Sequence, residues 1–402
     1  MRPVSPSAIC SPWTGPIAVL DVVVVGGGPV GMFLAALLLQ HGMSVRILEQ
    51  RSEPNTNSRA IGIHPPSLEA LDCVGVASGL IAEGVRIRRG VAIGGGVELA
   101  GMSFDAVSRL YPFVLSVPQA RTEAALERRV RELDGGALLR SATVTGMHDD
   151  GSSVAVDVLT AGGESRIHAS LAVAADGVRS TVRQLLEAPA RLKVYRDRYL
   201  MGDFADSTAF GPDAALFLEA AGIVESFPLP GGARRWVARL PGAPAVAGAD
   251  PEASTPGGLA RIVLERTGVA VDAGTNSMLS SFGARTRMVE RMVHGRVTLI
   301  GDAAHEISPI GGQGMNLGWL DAADLVPFIL RRLARTGRER DLRSFEGHRL
   351  RAAATAARQA EINMALGRPL QRPWWTVRNR LIGCAAGVPA VNARVAARFT
   401  MH

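Results

Sequence analysis

The chain has 402 residues, 47% of them hydrophobic, and a formal net charge of +7. Its positive charge comes almost wholly from arginine, because Lys193 is the single lysine. This length suits two or three domains or one large two-part fold. The arginines are dispersed and lack interleaved aromatic residues, which argues against nucleic-acid binding but is compatible with anionic cofactors or substrates. Three widely separated cysteines indicate neither a disulfide framework nor a zinc site.

Residues 1–16 contain four prolines and no apolar stretch of the length found in signal peptides, so they predict a disordered extension. The uncharged run from Val22 to Leu39 raises the question of a membrane span. Three consecutive glycines and a proline within it argue against one. We therefore expect a cytoplasmic protein.

The first predicted strand, Val22 to Val25, runs into the motif Gly26-Gly27-Gly28-Pro29-Val30-Gly31 and then a helical pattern. This is the context that a dinucleotide-binding turn requires. Gly26 permits the tight turn, Gly28 lets the backbone approach a pyrophosphate, and Gly31 allows close contact between helix and strand. The free N–H groups of the helix start would hold the phosphates.

The next predicted strand, Ser44 to Leu48, ends in Glu49, 18 residues after Gly31. An acid there can accept hydrogen bonds from ribose hydroxyls and disfavours a 2′-phosphate, so the unit fits FAD or NAD better than NADP. The alternative is an ordinary strand-helix-strand unit with coincidental glycines. Arg59 follows closely enough to bridge two phosphate oxygens, although it could equally be a solvated surface arginine.

Further along the chain, a helix is expected near Pro66 to Leu71, and a strand from Val114 to Val117 leads through Gln119 into a helix ending at Leu133. Leu171 to Ala175 is apolar throughout, as in a strand buried on both faces of a parallel sheet, and ends in Asp176-Gly177. A short helix is expected from Ser180 to Leu186.

Residues 191–240 change character and predict strands of a separate antiparallel sheet. These strands are Val194 to Asp203, Ala214 to Leu218, Gly222 to Phe227 and Arg234 to Leu240. A parallel-sheet strand returns at Val297 to Ile300 and runs into Gly301-Asp302-Ala303-Ala304-His305. A helix from Met315 to Arg335 and a mostly helical tail, interrupted at Pro373 to Trp375, complete the predicted elements.

The pattern predicts an α/β fold: a Rossmann-like FAD-binding domain with an inserted antiparallel β-sheet substrate domain and C-terminal helices. We assign residues 17–190 and 285–345 to the FAD-binding domain, whose first part includes some substrate-side elements. Residues 191–284 form the substrate domain and residues 346–402 the helical segment.

Several motifs in this order resemble the FAD-dependent aromatic hydroxylases, the p-hydroxybenzoate hydroxylase-like group of flavoprotein monooxygenases, over about residues 20–385. The segments that carry the resemblance are the glycine turn with Glu49, Asp176-Gly177 with Ser180 and Arg183, and Gly301-Asp302 followed by Pro309 and Gly311-Gly312-Gln313-Gly314. The resemblance implies an FAD site formed by Gly26, Gly28, Pro29, Val30, Gly31, Glu49, Gln50, Arg59, Gln119, Asp176, Gly301, Asp302, Pro309, Gly312, Gln313, Gly314, Met315 and Asn316.

The resemblance also implies the chemistry. NADH or NADPH would reduce FAD, and the reduced flavin would react with O₂ to a C4a-hydroperoxide that hydroxylates an aromatic or polyketide-like small molecule. Asp176 and Arg183 lie on the segment that the family uses for NAD(P)H as well as FAD. No metal and no protein nucleophile is needed, because the flavin carries the chemistry; any catalytic side chain stays unknown.

The sequence leaves several alternatives open. Asp302 could bind a ribityl hydroxyl or only cap its turn, and His305 is more simply explained as a structural hydrogen-bonding residue than as an acid or base. Tyr199, Phe217, Phe227 and Pro309 are candidate walls of the substrate pocket, but the aromatic three could be core residues. Epoxidation, Baeyer–Villiger insertion, or an FAD-dependent reductase or dehydrogenase are the rival activities.

Overall fold

A computed structural model describes residues 19–54, 60–241, 254–336 and 339–401. Arg59 and the predicted extension at residues 1–16 lie outside these ranges. The strands are β1 (Leu20–Val25), β2 (Val45–Glu49), β3 (Gly62–Ile63), β4 (Val85–Ile87), β5 (Arg89–Gly94), β6 (Val97–Ser103), β7 (Val114–Ser116), β8 (Leu138–Arg140), β9 (Thr143–Asp149), β10 (Val154–Thr160), β11 (Gly163–Ala174), β12 (Ala190–Ala205), β13 (Ala214–Phe217), β14 (Val224–Leu229), β15 (Ala233–Arg239), β16 (Met278–Val289), β17 (Val293–His294), β18 (Val297–Leu299) and β19 (His305–Glu306).

The helices are α1 (Pro29–Gln40), α2 (Pro65–Asp72), α3 (Ala77–Glu83), α4 (Gln119–Leu133), α5 (Thr181–Leu185), α6 (Pro256–Thr267), α7 (Gly314–Leu333), α8 (Glu339–Leu366), α9 (Arg372–Ala386) and α10 (Pro389–Phe399). Short 3-10 turns among the described elements are Ala273–Thr275 and Gly301–Ala303. Within the described residues, no helix is both long enough and apolar enough to cross a bilayer.

The first large sheet has the order β17-β18-β11-β1-β2-β8, and its central pairs are parallel. The residues Val22 to Val25 of β1 and Leu171 to Ala174 of β11 are buried, as expected for strands covered on both faces. Helix α1 connects β1 to β2. This is the predicted Rossmann-like unit, and β9 and β10 extend it as an antiparallel edge beside β11.

Glycines set how closely α1 and α7 approach the sheet edge. A Cβ built on Gly31 would lie 2.0 Å from the carbonyl oxygen of Gly26, and one on Gly318 would lie 2.5 Å from a methyl of Val30. Neither position has room for a side chain. The indole of Trp319 donates to the carbonyl of Pro29 over 3.1 Å, so the two helix starts are joined by a hydrogen bond as well as by packing.

The second large sheet has the order β19-β16-β12-β15-β14-β13-β5-β6 and is antiparallel except for β13 beside β5. The predicted inserted sheet is therefore wider than residues 191–284, because the earlier strands β5 and β6 join it. Strand alternation gives the sheet two faces. We call the outer face the one that carries Leu200, Phe217 and Trp236, which pack in one core cluster with Leu259 and Val263 of α6.

The inner face is the opposite one. Directly paired residues in neighbouring strands share a face, and the registers align Leu216, Glu225, Val237 and Met201 in one row across four strands. Tyr199 and Phe227 are each two residues along their strands from this row, so they lie on the same face. Tyr199, Met201 and Val237 pack in one cluster with Ile310, which belongs to the loop before α7.

The tail forms α8, α9 and α10. The expected interruption at Pro373 to Trp375 is wrong, because α9 begins at Arg372 and contains all three residues. Proline in a first turn removes no hydrogen bond that the helix would otherwise make. The break lies instead between Leu366 and Arg372.

Candidate active site

Three segments that are distant in sequence meet at one edge of the parallel sheet. They follow β1, β11 and β18, which are neighbours. Backbone hydrogen bonds continue the strand pairing into the turns: Ala175 donates to Val25 over 2.8 Å and Ile300 donates to Ala174 over 2.9 Å. In parallel sheets, the edge at the carboxyl ends of the strands is where ligands bind.

The glycine turn packs closely against the protein at Gly26 but leaves open space at Gly28, where a phosphate group would bind. Gly26 has φ +108°, and a Cβ there would lie 2.4 Å from the carbonyl oxygen of Ala175. Gly28 precedes α1, and a Cβ built on it would meet no protein atom within 4 Å. A phosphate group can therefore approach the backbone at Gly28 and the positive end of α1.

Glu49 ends β2 beside this turn. Its Oε2 accepts a hydrogen bond from the Gly27 N–H at 2.8 Å, and its Oε1 accepts from the backbone and side chain of Arg51 at 2.9 Å. Burial opposes the charge, but the hydrogen bonds from Arg51 and Gly27 outweigh it and hold the pKa of Glu49 below its usual value. The carboxylate stays ionised and retains acceptor capacity for ribose hydroxyls. Gln50 next to it is exposed.

Asp302 lies in the 3-10 turn after β18. Among the described residues, none donates a hydrogen bond to its carboxylate. A Cβ on Gly314, the first residue of α7, would lie 3.8 Å from its Oδ1. Desolvation by the surrounding protein raises the pKa of Asp302 to about 6, although part of the side chain is accessible. An acceptor without a protein partner thus faces the beginning of α7.

The turn is held by a buried carboxylate that the sequence did not single out. Asp321 of α7 accepts from the Gly301 N–H at 2.9 Å, lies 2.6 Å from Nε2 of His305, and accepts from Nε of Arg349 at 2.6 Å. Asp321 and His305 are fully buried. Burial disfavours both charges, but the pair stabilises them: the pKa of Asp321 is lowered and that of His305 is raised. This geometry fits a structural role for His305.

Three residues that were predicted to bind the cofactor make side-chain amide hydrogen bonds to other parts of the protein. Asn316 donates to the carbonyls of Gly62 and Gly312 and accepts from the His64 N–H. Gln313 donates to the carbonyl of Phe399 at 3.2 Å, and Gln119 donates to Glu123 at 2.7 Å. These amides brace the loops around the site. Pro309 is exposed in the loop, and Met315 lies in the first turn of α7.

Asp176 and Arg183 link the second segment to the third. Oδ2 of Asp176 accepts from the Val182 N–H in the first turn of α5 at 3.1 Å, beside the N-cap Ser180, while its Oδ1 is buried without a hydrogen-bond partner among the described residues. The guanidinium of Arg183 donates to the carbonyls of Ala303 and Val178 at 2.9 and 2.8 Å. Arg183 therefore positions the Asp302 turn; contact with NAD(P)H stays a prediction.

The four pocket candidates do not share one surface. Tyr199 and Phe227 lie on the inner face, and Pro309 adjoins Ile310, which packs against that face. Phe217 lies on the outer face, where its ring is stacked on Trp236 with centroids 6.0 Å apart. Phe217 therefore does not share a face with Tyr199 and Phe227, because adjacent strand residues point to opposite sides of a sheet. In the described parts of the chain, no group of His, Cys, Asp and Glu could hold a metal ion.

Comparison with known proteins identifies the class. A family model described as an FAD binding domain matches residues 19–360. A 12-dehydrotetracycline 5-monooxygenase/anhydrotetracycline 6-monooxygenase of Streptomyces rimosus subsp. rimosus is 32% identical over 86% of this chain and 69% of its own length. A rifampicin monooxygenase of Streptomyces venezuelae is 36% identical over 76% of this chain and 63% of its own length. The chain thus spans about two thirds of these relatives.

Solved structures agree. The OxyS anhydrotetracycline hydroxylase from Streptomyces rimosus superimposes with a TM-score of 0.77 at 30% identity, covering 95% of this chain and 76% of that one. The fold of p-nitrophenol 4-monooxygenase PnpA from Pseudomonas putida gives a TM-score of 0.85 at 23% identity, covering 95% and 98%. The chain belongs to the FAD-dependent aromatic hydroxylases, a family of flavin-dependent monooxygenases. The predicted family, fold class and FAD cofactor are confirmed.

The residues present fit FAD. The open space at Gly28 suits the pyrophosphate, the ionised Glu49 suits the adenosine ribose, and the free acceptor of Asp302 suits a hydroxyl of the ribityl chain. These three groups follow different strands, β1, β2 and β18, at the same edge of the sheet. An extended dinucleotide is the ligand that could use all of them together.

Gly28→Val should abolish FAD retention without unfolding the chain. The new side chain would enter space that contains no protein atom but that a pyrophosphate needs. The FAD content of the purified protein and its thermal unfolding check this. Gly31→Val is the matched control, because its Cβ would collide with Gly26 and should reduce stability as well. Stoichiometric FAD in Gly28→Val would contradict the assignment of the turn.

Asp302→Asn should weaken FAD binding by about 1–3 kcal/mol at neutral pH, since a charged acceptor is lost. In the wild type, affinity should fall as the pH drops through about 6, because a ligand that binds the ionised form loses its acceptor on protonation. FAD titrations across this pH range measure both effects. An equal loss of affinity with acid in the variant would show that another group is responsible.

Asp321→Asn should cost about 3–5 kcal/mol of unfolding free energy, because buried His305 and Arg349 would lose their buried charge partner and Arg349 would keep only the partly exposed Asp324. Asp324→Asn is the matched control: Asp324 contacts the same arginine at 3.2 Å but is 41% exposed. Its loss should cost at most about 1 kcal/mol. Urea denaturation compares the two variants, and equal costs would argue against a structural role specific to Asp321.

Proposed function

We propose that the protein uses NADH or NADPH and O₂ to hydroxylate an aromatic or polyketide-like small molecule. The observation that carries the proposal is that the loop before α7 packs onto the inner face through Ile310, beside the edge where the three predicted FAD-binding segments meet. Relatives named for action on anhydrotetracycline and on rifampicin support a multi-ring substrate. Tyr199, Phe227 and Pro309 remain the proposed pocket residues.

The protein's own part is to hold the cofactor and exclude water. Glu49, Gly28 and Asp302 would bind adenosine, pyrophosphate and ribityl chain in that order along the edge. When bound, FAD supplies hydride acceptance and the activation of O₂. Helix α7 begins beside Asp302, and its N-terminal end would favour negative charge on a flavin ring bound there.

The inner face would cover the substrate. Tyr199, Met201 and Val237 are each at most 6% exposed and already pack against Ile310, so they would close one side of the pocket against solvent. Shielding of this kind protects a reactive oxygenating site from hydrolysis. Arg183, which fixes the turn carrying Asp302, is a positioning residue in this scheme.

Epoxidation and Baeyer–Villiger insertion would use the same site, and an FAD-dependent reductase would use it without O₂. The FAD-loaded protein should consume O₂ and NAD(P)H together with an aromatic substrate, and ¹⁸O₂ should label a new hydroxyl group in the product. Product structure by NMR separates hydroxylation from the other oxygen transfers. NAD(P)H-driven conversion of substrate that proceeds without O₂ would instead establish the reductase.

A further inference from the structure

Glu225 is a buried acid that no part of the site described so far uses. It lies on the inner face in the row with Leu216, Val237 and Met201, so its immediate neighbours across the sheet are apolar. The residue is 8% exposed, and within the described chain no hydrogen bond or ion pair reaches its carboxylate. Nothing in the local packing explains an acid at this place.

An unpartnered carboxyl group in an apolar setting is costly to the fold. Every other acid within the core of this sheet has a cation: Asp197 pairs with Arg239, and Asp203 pairs with Arg235 through two hydrogen bonds. Burial alone raises the pKa of Glu225 to about 7. The chain therefore keeps a destabilising group at the centre of the sheet.

A second polar group without a partner lies on the same face. Tyr199 is 1% exposed, its ring is stacked on Phe282 at 5.4 Å, and its hydroxyl has no hydrogen bond among the described residues. Burial raises the pKa of Tyr199, and the negative charges of Glu225 and Asp197 raise it further. The same face also carries Arg235 and Arg239, but these pair with Asp203 and Asp197. Glu225 and the hydroxyl of Tyr199 have no such partner among the described residues.

The inner face lies against the loop before α7, which contains Ile310 and the predicted FAD-binding residue Pro309. Tyr199, Met201 and Val237 pack with Ile310, and the hydroxyl of Ser116 donates to the carbonyl of Pro228 on the strand that carries Glu225. Ser116 ends β7, three residues before Gln119. The strand of Glu225 is thus joined to the segment that leads to Gln119, and the neighbouring strands β12 and β15 contact the loop at Ile310.

We propose that Glu225 is a specificity-determining residue that accepts a hydrogen bond from a hydroxyl group of the aromatic substrate. The site would then select neutral hydroxylated aromatic compounds and reject aromatic carboxylates, which would bring a second negative charge against a buried acid. The hydroxyl of Tyr199 provides a further polar contact to the same substrate. This inference rests on the proposed function, because it places the substrate between the inner face and the flavin.

The test uses the FAD-loaded protein without reductant, so that it does not depend on oxygenation. Binding of 1-naphthol and of 1-naphthoate is measured at about pH 8, above the pKa of Glu225, from the absorbance change of bound FAD. The wild type should prefer naphthol. Glu225→Gln should improve naphthoate binding at least about fivefold, and Glu225→Leu should weaken naphthol binding by a similar factor.

Thermal unfolding separates this role from a structural one. Glu225→Leu should raise the melting temperature, because a ligand-binding group that burdens the fold is removed. Glu265→Gln, on the exposed side of α6 behind the same sheet, is the control and should change neither selectivity nor stability. FAD content should be unchanged in all variants.

Three results would overturn the assignment: equal binding of both probes by the wild type, binding of neither by protein that retains FAD, or a less stable Glu225→Leu variant with unaltered selectivity. Failure of the proposed function has a different signature. In that case the selectivity change appears in the binding measurement, but no probe or other aromatic compound is oxygenated when NAD(P)H and O₂ are supplied.

Discussion

The interaction on which the site depends most is the buried contact of Asp321 with Gly301, His305 and Arg349. It ties the turn after β18 to α7 and α8 at once, with distances of 2.6 to 2.9 Å. A buried carboxylate is tolerable only when donors surround it, and here two cationic groups and a backbone N–H do so. Asp321 accepts the hydrogen bonds of these donors. The carboxylate of the neighbouring Asp302 therefore remains available to a ligand.

Close approach of backbone at the glycines is the complementary constraint. Gly26, Gly31 and Gly318 each have a neighbour where a side chain would be, whereas Gly28 has none. The first three bring α1, α7 and the strand ends together, and the fourth leaves the resulting edge accessible. Glycine therefore has two different roles here. At Gly26, Gly31 and Gly318 it allows close packing of the backbone, and at Gly28 it leaves space for a ligand.

Local patterns explain why the cofactor half could be predicted from the sequence. An apolar run, a glycine turn and an acid at the end of the next strand are encoded within about thirty residues, which is the length of one βαβ unit. The inner and outer faces of the second sheet are not encoded locally. Alternation shows that Phe217 and Leu216 point to opposite sides, but which side meets the flavin depends on α6 and on the loop at Ile310. Asp321 was missed because no sequence motif marks it: its role follows from how α7 packs against the turn after β18 and against α8.

Two kinds of buried acid can be distinguished by their partners rather than by their burial. Asp321 and Asp197 are surrounded by cations, so their charge is satisfied inside the protein and their role is structural. Asp302 and Glu225 lack such partners. Asp302 lies at the ligand-binding edge of the first sheet, and Glu225 lies on the inner face of the second sheet. Folding alone does not favour an unsatisfied carboxyl group. Its hydrogen-bonding capacity is then directed to a molecule from outside the chain: the cofactor at Asp302 and, by the same physical argument, the substrate at Glu225.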